Sequence, residues 1–387
     1  MKKRILALLL AGLLALGLAA CGGSAEPDPG QIPEEADETA GIPAADLKIG
    51  LILVGEADDA YNRNHLEGMR SACESLDLSF DAQVVVKTGV PENAACYNAV
   101  GQLLDAGCQV VFANAYGHES YLNRAASEHP DVQFCCAGGY EGASDNLDNT
   151  HDYYAQVYQA RYLAGIAAGL RTETGKLGYV AAVPVAQVIS GYAAFYLGAK
   201  SVNPDAVMLV SYTGQWSNAA SESAAAQALI DQGCDVISQH SDTAAPAAVA
   251  EANGVCAVGY NEDMISAAPH AALTSARIDW GVYYAYALGC LLSGEAIGQD
   301  WCGDLSQGAC TLTPWNEDAV AAGTEAAVAQ AAGQLADGSL QVFAGPLHGT
   351  DVDGNELTLA RGETYTENET ASAPSFIYIP DGVIVLP

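Results

Sequence analysis

Short apolar runs alternate with longer stretches of helical period along most of the chain. Residues 48–54 and 207–212 are short runs rich in Val, Ile and Leu, whereas 64–76 and 186–202 repeat their apolar residues three and four positions apart. Short apolar strands that alternate with helices are typical of an α/β fold built on a mostly parallel sheet. The pattern therefore predicts an α/β protein.

The elements fall into two successive series. The first series has predicted strands at 48–54, 82–87, 110–113 and 132–136, and predicted helices at 64–76 and 92–106. The second series has predicted strands at 177–183, 207–212, 236–239 and 255–259, and predicted helices at 154–170, 186–202 and 222–232. Each series is long enough to build a domain of its own.

An internal similarity relates the two series. Residues 103–111 read LLDAGCQVV and residues 229–237 read LIDQGCDVI, at the same stage of each series. In both, a helix ends at glycine, which adopts a left-handed cap readily, and an apolar strand follows. Chance similarity of two helix-to-strand turns is the alternative. The repeat favours two related Rossmann-like lobes, with ligand bound beyond the carboxyl ends of the strands.

The first residues of the chain have the features of an export signal. Lys2, Lys3 and Arg4 precede an apolar stretch at 5–18 that is too short to span a bilayer comfortably, and Leu-Ala-Ala then leads to Cys21. This ending resembles a bacterial lipobox, which implies cleavage after residue 20 and lipidation of Cys21. An ordinary cleaved signal with an incidental cysteine is the alternative.

Residues 21–46 form the next distinct segment. They are rich in Gly, Pro, Ala and acidic residues, with few large apolar side chains. Such a segment cannot bury enough surface to offset its ordering entropy, so we expect a disordered tether. The rest of the chain is then expected to face the extracytoplasmic side of the cell membrane, held there by the lipid anchor.

Charge and motifs exclude several classes of function. Lys and Arg number 14 against 47 Asp and Glu, for a net charge of −33. So acidic a protein repels nucleic-acid backbones and anionic lipid surfaces. The sequence contains no dinucleotide, P-loop, nucleophile-elbow or zinc-protease motif, and no C-x-x-C pair. We therefore expect no enzyme activity, no cofactor and no metal.

The cysteines and one histidine are further candidates for special roles. Of the 11 cysteines, Cys302 and Cys310 flank a short loop and have the best spacing for a disulfide, although the alternative of two thiols stays open. His240 is the one histidine at the end of a predicted strand within a polar loop, and we interpret it as a hydrogen-bonded loop side chain rather than a catalytic one.

Polar and aromatic side chains follow five predicted strands. An aromatic ring can stack on a flat ligand, while amide and carboxylate groups bind its polar edge. Turn chemistry alone accounts for Asn, Asp and Ser at such positions but not for Tyr or Trp. The candidate ligand-binding residues are Asp58, Tyr61, Asn62, Asn114, Tyr116, Trp216, Asp242 and Asp263.

Several motifs resemble the basic membrane protein (BMP) family of lipoproteins. The first strand with DDAYN at 58–62 is similar to the family's opening strand and its Asp-x-x-Phe-Asn motif, and PDVQF at 130–134 is similar to a later strand. YLAGIAA at 162–168 with TGKLG at 174–178 is the most specific stretch. The resemblance runs from about residue 48 to the C-terminus. It implies a type I periplasmic-binding-protein fold that serves an ABC importer.

The resemblance also implies a ligand. Characterised members bind purine nucleosides or purine bases, with the base clamped between aromatic rings of the two lobes. The family's motif residues fall on Asp58, Tyr61 and Asn62, its second-lobe aromatic on Trp216, and an acidic residue near the last crossover on Asp263. An Arg-containing sequence replaces the Lys that commonly follows the family's Thr-Ser strand, and Trp216 replaces a common Phe. These departures leave nucleoside, bare base or another flat ligand open.

The lobe boundaries expected from the resemblance cross the hinge three times. The first lobe would combine 47–150 with 263–312, and the second 151–262 with 313–387. The expected partners are a small-molecule ligand and an ABC importer permease. Three other functions remain: a receptor for a sugar, a nucleoside-processing enzyme that uses Asp58 or Asp263 as acid or base, and a sensory or adhesion lipoprotein.

Overall fold

The computed structural model describes residues 41–139, 147–367 and 374–387. The predicted signal peptide 1–20, Cys21 and most of the tether 21–46 lie outside the described residues. The helices are α1 (Ala60–Ser75), α2 (Phe80–Gln83), α3 (Ala94–Asp105), α4 (Glu119–Glu128), α5 (Tyr158–Arg171), α6 (Ala186–Val202), α7 (Ala219–Asp231), α8 (Ala245–Asn253), α9 (Trp280–Ser293) and α10 (Thr324–Ala336).

One large sheet lies in the first lobe. Its central strands are buried on both faces, as expected for apolar strands with helices on either side. Its neighbouring strands are all parallel. In spatial order, the strands are β11 (Asp300–Gly303), β5 (Thr150–Ala155), β4 (Gln133–Ala137), β3 (Val110–Ala113), β1 (Ile49–Ile52) and β2 (Val84–Lys87).

A second large sheet lies in the second lobe. It is parallel except for β12, which runs antiparallel to its neighbour at one edge. In spatial order, the strands are β12 (Cys310–Leu312), β10 (Ala272–Ile278), β9 (Cys256–Tyr260), β8 (Val236–His240), β6 (Lys176–Ala181), β7 (Val207–Tyr212) and β16 (Val383–Val385). A small antiparallel sheet contains β14 (Glu356–Leu359), β13 (Leu347–Thr350) and β15 (Ile379–Pro380).

The two-lobed α/β prediction is confirmed. Strand β3, helix α6 and strand β7 have the predicted bounds. Helix α1 begins at Ala60, four positions before the predicted start, and β5 occupies residues that were partly assigned to the following helix. The three polar residues that begin THDYYA hide β5, because their side chains are buried in the structure rather than exposed.

Strand pairing moves the expected lobe boundaries. Strand β10 pairs in parallel with β9, and β12 pairs with β10, so both belong to the second sheet rather than to the first lobe. Strand β5 pairs with β4 and β11, so the first sheet extends past residue 150 to Ala155. We therefore propose hinge crossings at 156–157, at Asp279 and at 304–309, in place of the expected crossings near 148–153, 260–263 and 311–315.

The expected disulfide is absent. Cys302 and Cys310 are both thiols, and the Sγ of Cys310 donates to the carbonyl oxygen of Gln156 at 3.5 Å. Burial raises the pKa of the Cys310 thiol to about 12. Of the two alternatives that the spacing left open, the structure therefore shows the two thiols. Within the described part of the chain, none of the helices is long and apolar enough to cross a membrane.

Helices α5 and α6 pack closely because glycines lie at their contact. A Cβ atom at Gly165 would collide with the carbonyl oxygen of Phe195, and one at Gly198 would collide with that of Tyr162. Both neighbours are backbone atoms, which cannot move aside as a flexible side chain does. The stretch YLAGIAA at 162–168 thus owes its Gly to helix packing.

We expect Gly165→Ala to lower the free energy of unfolding by about 1–3 kcal/mol, the usual cost of overpacking a close-packed interior. Denaturant unfolding of the chain from about residue 44 measures the change. Gly333→Ala in α10 is the matched control, since an added Cβ there meets no atom within 4 Å. The control is expected to gain about 0.5–1 kcal/mol through lost chain entropy. An unchanged stability in Gly165→Ala would contradict the packing argument.

Candidate ligand-binding site

The carboxyl ends of the two sheets face each other across a cleft. Arg63 near the start of α1 forms an ion pair with Glu262 after β9, with 2.6 Å between Nη1 and Oε1. A second ion pair joins Glu67 of α1 to Arg277 of β10 at 2.8 Å. The hydroxyl groups of Tyr154 on β5 and Tyr260 on β9 also interact across the two lobes. The lobes are therefore in contact across the cleft in this conformation.

On the first-lobe side, two amide side chains form a buried network. The Nδ2 of Asn114 donates to the Oδ1 of Asn62 at 2.8 Å, and the Oδ1 of Asn114 accepts from the backbone N–H of Val54 at 2.8 Å. The hydroxyl of Tyr61 donates to the carbonyl oxygen of Asn114 at 2.6 Å. Asn114 lies directly after β3 and Tyr61 in the first turn of α1, so the strand end and the helix start hold each other in place.

The remaining first-lobe candidates are exposed. Tyr116 begins a single 3-10 turn after β3, and 51% of its surface is accessible. Asp58 lies in the turn before α1, where its carbonyl oxygen accepts from Arg63. The exposed Tyr116 offers an aromatic face. The contact seen for Asp58 is made by its backbone carbonyl rather than by its carboxylate.

On the second-lobe side, Trp216 and Asp242 lie together. The backbone N–H of Asp242 donates to the carbonyl oxygen of Trp216 at 2.9 Å. The indole is 39% exposed and lies edge-on to the ring of His240, with 6.1 Å between centroids. Asp263 is exposed, and its Oδ1 accepts from the backbone N–H of Ile265 at 2.9 Å, so it caps a local turn. The structure thus brings Trp216 and Asp242 together and gives Asp263 a turn role.

The carboxyl group of Asp242 has an unusual environment. Burial, followed by the negative charges of Glu222 and Asp59, raises its pKa from 3.8 to about 8. Glu222 is itself fully buried and accepts hydrogen bonds from the hydroxyls of Ser241 and Thr243. Because Asp59 belongs to the first lobe, its influence on Asp242 places the two carboxyl groups on facing sides of the cleft. Asp242 is mostly protonated at neutral pH and can donate a hydrogen bond.

This pKa predicts how stability depends on pH. Between pH 4 and 8 the folded protein holds a proton on Asp242 that the unfolded chain releases, so the contribution of this residue to stability falls as pH rises through that window. Above pH 8 the contribution levels off. We expect the thermal midpoint of Asp242→Asn to fall less steeply than that of the unsubstituted protein between pH 5 and 8, in unfolding scans at matched ionic strength. Parallel pH profiles would contradict the assignment.

Three residues that the sequence interpretation passed over lie beside these candidates. Tyr260 ends β9 and its ring centroid is 4.4 Å from that of His240. Arg161 in the first turns of α5 has its guanidinium carbon 4.2 Å from the same Tyr260 centroid. Tyr154 lies on β5 at the first hinge crossing. Nothing in the apolar helical pattern of α5 marks Arg161 as a buried residue.

His240 differs from its interpretation as a hydrogen-bonded loop residue. It is the last residue of β8 and is buried, and neither ring nitrogen has a hydrogen-bond partner among the described residues. Burial and, next, the charge of Arg161 lower its pKa well below the usual value, so the imidazole is neutral. The interpretation is wrong because the strand extends to residue 240 and carries the ring into the lobe.

Comparison with known proteins identifies the family. The family model described as Bmp, an ABC transporter substrate-binding protein that is PnrA-like, matches residues 47–329. The chain belongs to the Bmp family. Family and fold are those of solute-binding proteins of ABC transporters. The resemblance drawn from the motifs is confirmed, and with it the type I periplasmic-binding-protein fold.

Bmp-family relatives and solved structures agree with this fold. A purine-binding protein of Brucella abortus is 32% identical over 79% of this chain and 85% of its own length. A Haloferax volcanii protein, named provisionally as an ABC transporter glucose-binding protein, is 32% identical over 71% of this chain and 68% of its own. An ABC transporter solute-binding protein of Conexibacter woesei superposes with a TM-score of 0.64 at 23% identity, covering 76% of this chain and 98% of that one.

Proposed function

We propose that this Bmp-family protein captures a purine base or purine nucleoside in the cleft between its lobes and delivers it to an ABC importer. The observation that carries the proposal is the exposed indole of Trp216 next to Asp242 at the carboxyl ends of the second sheet. An exposed indole beside a half-buried carboxyl group can stack on a flat heterocycle and bind its polar edge.

The first lobe supplies the complementary groups. Tyr61 in the first turn of α1 and Tyr116 after β3 offer aromatic rings, and the hydroxyl of Tyr61 donates to the carbonyl oxygen of Asn114 in the Asn62–Asn114 network. We propose that Tyr61 and Trp216 lie on opposite faces of the bound base, and that Asn62 and Asp242 bind its edges. We also include four further residues as groups that line or support the proposed site: Asp58, Asn114, Tyr116 and Asp263.

A sugar is the second candidate ligand. The Haloferax volcanii relative carries a provisional glucose-binding name, and aromatic rings with Asp and Asn also serve pyranose rings. The purine is preferred because the relative with a purine-binding name has the same identity over more of both chains. It also suits a neutral Asp242, which can donate to a ring nitrogen.

Thermal unfolding with a panel of ligands tests the proposal. The chain from about residue 44 is unfolded and refolded to remove co-purified ligand, then melted with hypoxanthine, adenine, inosine, adenosine, ribose or glucose. Ligand at about 100 times its dissociation constant stabilises the fold by about 2.7 kcal/mol. We expect the midpoint to rise with purines and not with sugars. A rise with sugars alone would establish the second candidate instead.

We also propose that the protein is a lipoprotein. This proposal rests on the lipobox-like sequence ending at Cys21, on the export signal before it, and on the extracytoplasmic role of its family. The tether 21–46 would let the lobes reach a permease in the same membrane. We expect Cys21→Ser to move the protein from the membrane fraction to the soluble or secreted fraction, measured by fractionation of expressing cells. Retention in the membrane would contradict lipid anchoring.

A further inference from the structure

Arg161 is a buried cation with unused hydrogen-bonding capacity. Its side chain is 0% exposed, and its Nη1 donates to the carbonyl oxygen of Gln239 at 2.6 Å. Its Nε and Nη2 have no hydrogen-bond partner among the described residues. A buried polar group without a partner costs free energy, and a guanidinium costs more than a neutral group.

The positive charge of Arg161 is not balanced by an ion pair with Asp or Glu in the described part of the chain. The ion pairs found among residues 41–139, 147–367 and 374–387 do not include Arg161. The faces of Tyr260 and Tyr179 lie 4.2 and 5.7 Å from its guanidinium carbon and stabilise the cation in part. Neither tyrosine accepts a hydrogen bond from Nε or Nη2, which have no partner among the described residues.

The unpartnered donors of Arg161 lie at the same edge of the second sheet as the proposed site. Gln239 and Tyr260 belong to the last residues of β8 and β9, so Arg161 lies at the carboxyl ends of the second sheet, where ligands of α/β folds bind. His240 lies against Tyr260 on the same strand ends. Since its imidazole is neutral, Arg161 is the cation of this cluster.

The geometry of the donors defines the acceptor that they fit. In a guanidinium the Nε–H and one N–H of Nη2 point in parallel from one edge of the plane, and this fork binds two neighbouring acceptors at once. A 6-oxopurine presents such a pair in O6 and N7, which arginine binds in a bidentate manner. A 6-aminopurine presents N7 next to an amino donor, which opposes the second N–H of the fork.

We propose that Arg161 is a specificity-determining residue that binds O6 and N7 of the ligand, so that the protein selects 6-oxopurines over 6-aminopurines. The inference rests on the proposed purine-binding function. It also explains why a cation is buried without a carboxylate, because the ligand provides the missing acceptors. Lysine fits this role less well, since its single ammonium group can reach the same acceptors but lacks the planar fork that holds both in a fixed geometry.

Paired ligands that differ at position 6 test this inference. We expect hypoxanthine to bind more tightly than adenine, and inosine more tightly than adenosine, by about 5- to 150-fold in calorimetric titrations of the refolded protein. 7-Deazahypoxanthine, which lacks N7 as an acceptor, is expected to bind more weakly than hypoxanthine. If adenine binds as tightly as hypoxanthine, the inference is overturned while purine binding stands. If no purine binds, the proposed function itself fails.

Variants connect the selectivity to Arg161. Arg161→Lys keeps the charge but removes the fork, and we expect its hypoxanthine-to-adenine affinity ratio to fall below that of the unsubstituted protein. Arg171→Lys, in the last turn of the same helix, is the matched control and should keep the original ratio; Arg171 Nε donates to the carbonyl oxygen of Ala319. An unchanged ratio in a folded Arg161→Lys protein would overturn the assignment. If that variant does not fold, the 7-deaza comparison on the unsubstituted protein decides.

Discussion

Replacing Trp216 by alanine is expected to weaken purine binding by about 5- to 150-fold. Stacking of an aromatic side chain on a base contributes about 1–3 kcal/mol, and every 1.4 kcal/mol is a tenfold change in affinity. Trp216 is accessible to a ligand, because 39% of its surface is exposed. Isothermal titration with hypoxanthine measures the change, and thermal unfolding without ligand checks that the fold is kept.

Matched variants make the Trp216 result specific. Trp216→Phe keeps an aromatic face and is expected to lose less affinity than the alanine variant. Tyr286→Ala is the control, since Tyr286 is 37% exposed on α9 and stacks on Trp301 away from the cleft. We expect the affinity of the control to stay unchanged. Equal affinity in Trp216→Ala and the unsubstituted protein would remove the indole from the site.

Asn114→Ala is expected to lower the free energy of unfolding by about 2–4 kcal/mol. The substitution leaves the N–H of Val54 without an acceptor and the Oδ1 of Asn62 without its 2.8 Å donor, and both losses occur where Asn114 is fully buried. Each unsatisfied buried group costs about 1–3 kcal/mol. Urea unfolding monitored by circular dichroism gives the change in the absence of ligand.

An exposed amide provides the comparison for Asn114. Asn253 ends α8, and its Nδ2 donates to the Oε1 of Gln227 at 3.1 Å on the surface. We expect Asn253→Ala to change stability by no more than about 0.5 kcal/mol, as is usual for surface substitutions. Similar losses in the two variants would mean that the Asn62–Asn114 network does not stabilise the fold more than a surface amide does.

The sequence predicted the fold better than it predicted the course of the chain between the lobes. Apolar runs located β3 and β7, and helical periodicity located α6, because the burial of these segments follows from their own residues. The assignment of β10 to the wrong lobe has another origin. Strand β10 belongs to the second sheet because it pairs with β9 and β12. These partners lie at different distances along the chain, so the residues of β10 themselves do not indicate the pairing.

The candidate site was predicted in part for a similar reason. Strand-end chemistry pointed to the Asn62–Asn114 pair and to Trp216 with Asp242, which the structure brings together in two groups. Arg161 escaped attention because an arginine within a helical pattern is usually solvated. Only tertiary packing against Tyr260 and Gln239 buries it, and no local sequence pattern encodes that packing.

Direct titration is the simplest test of purine binding in the cleft. Protein from about residue 44 onward, refolded to remove bound ligand, is titrated with hypoxanthine, inosine, adenine and glucose in a calorimeter. We predict saturable binding of the purines with one site per chain, and no heat of binding with glucose. Saturable binding of glucose without any binding of purines would contradict purine binding by this protein.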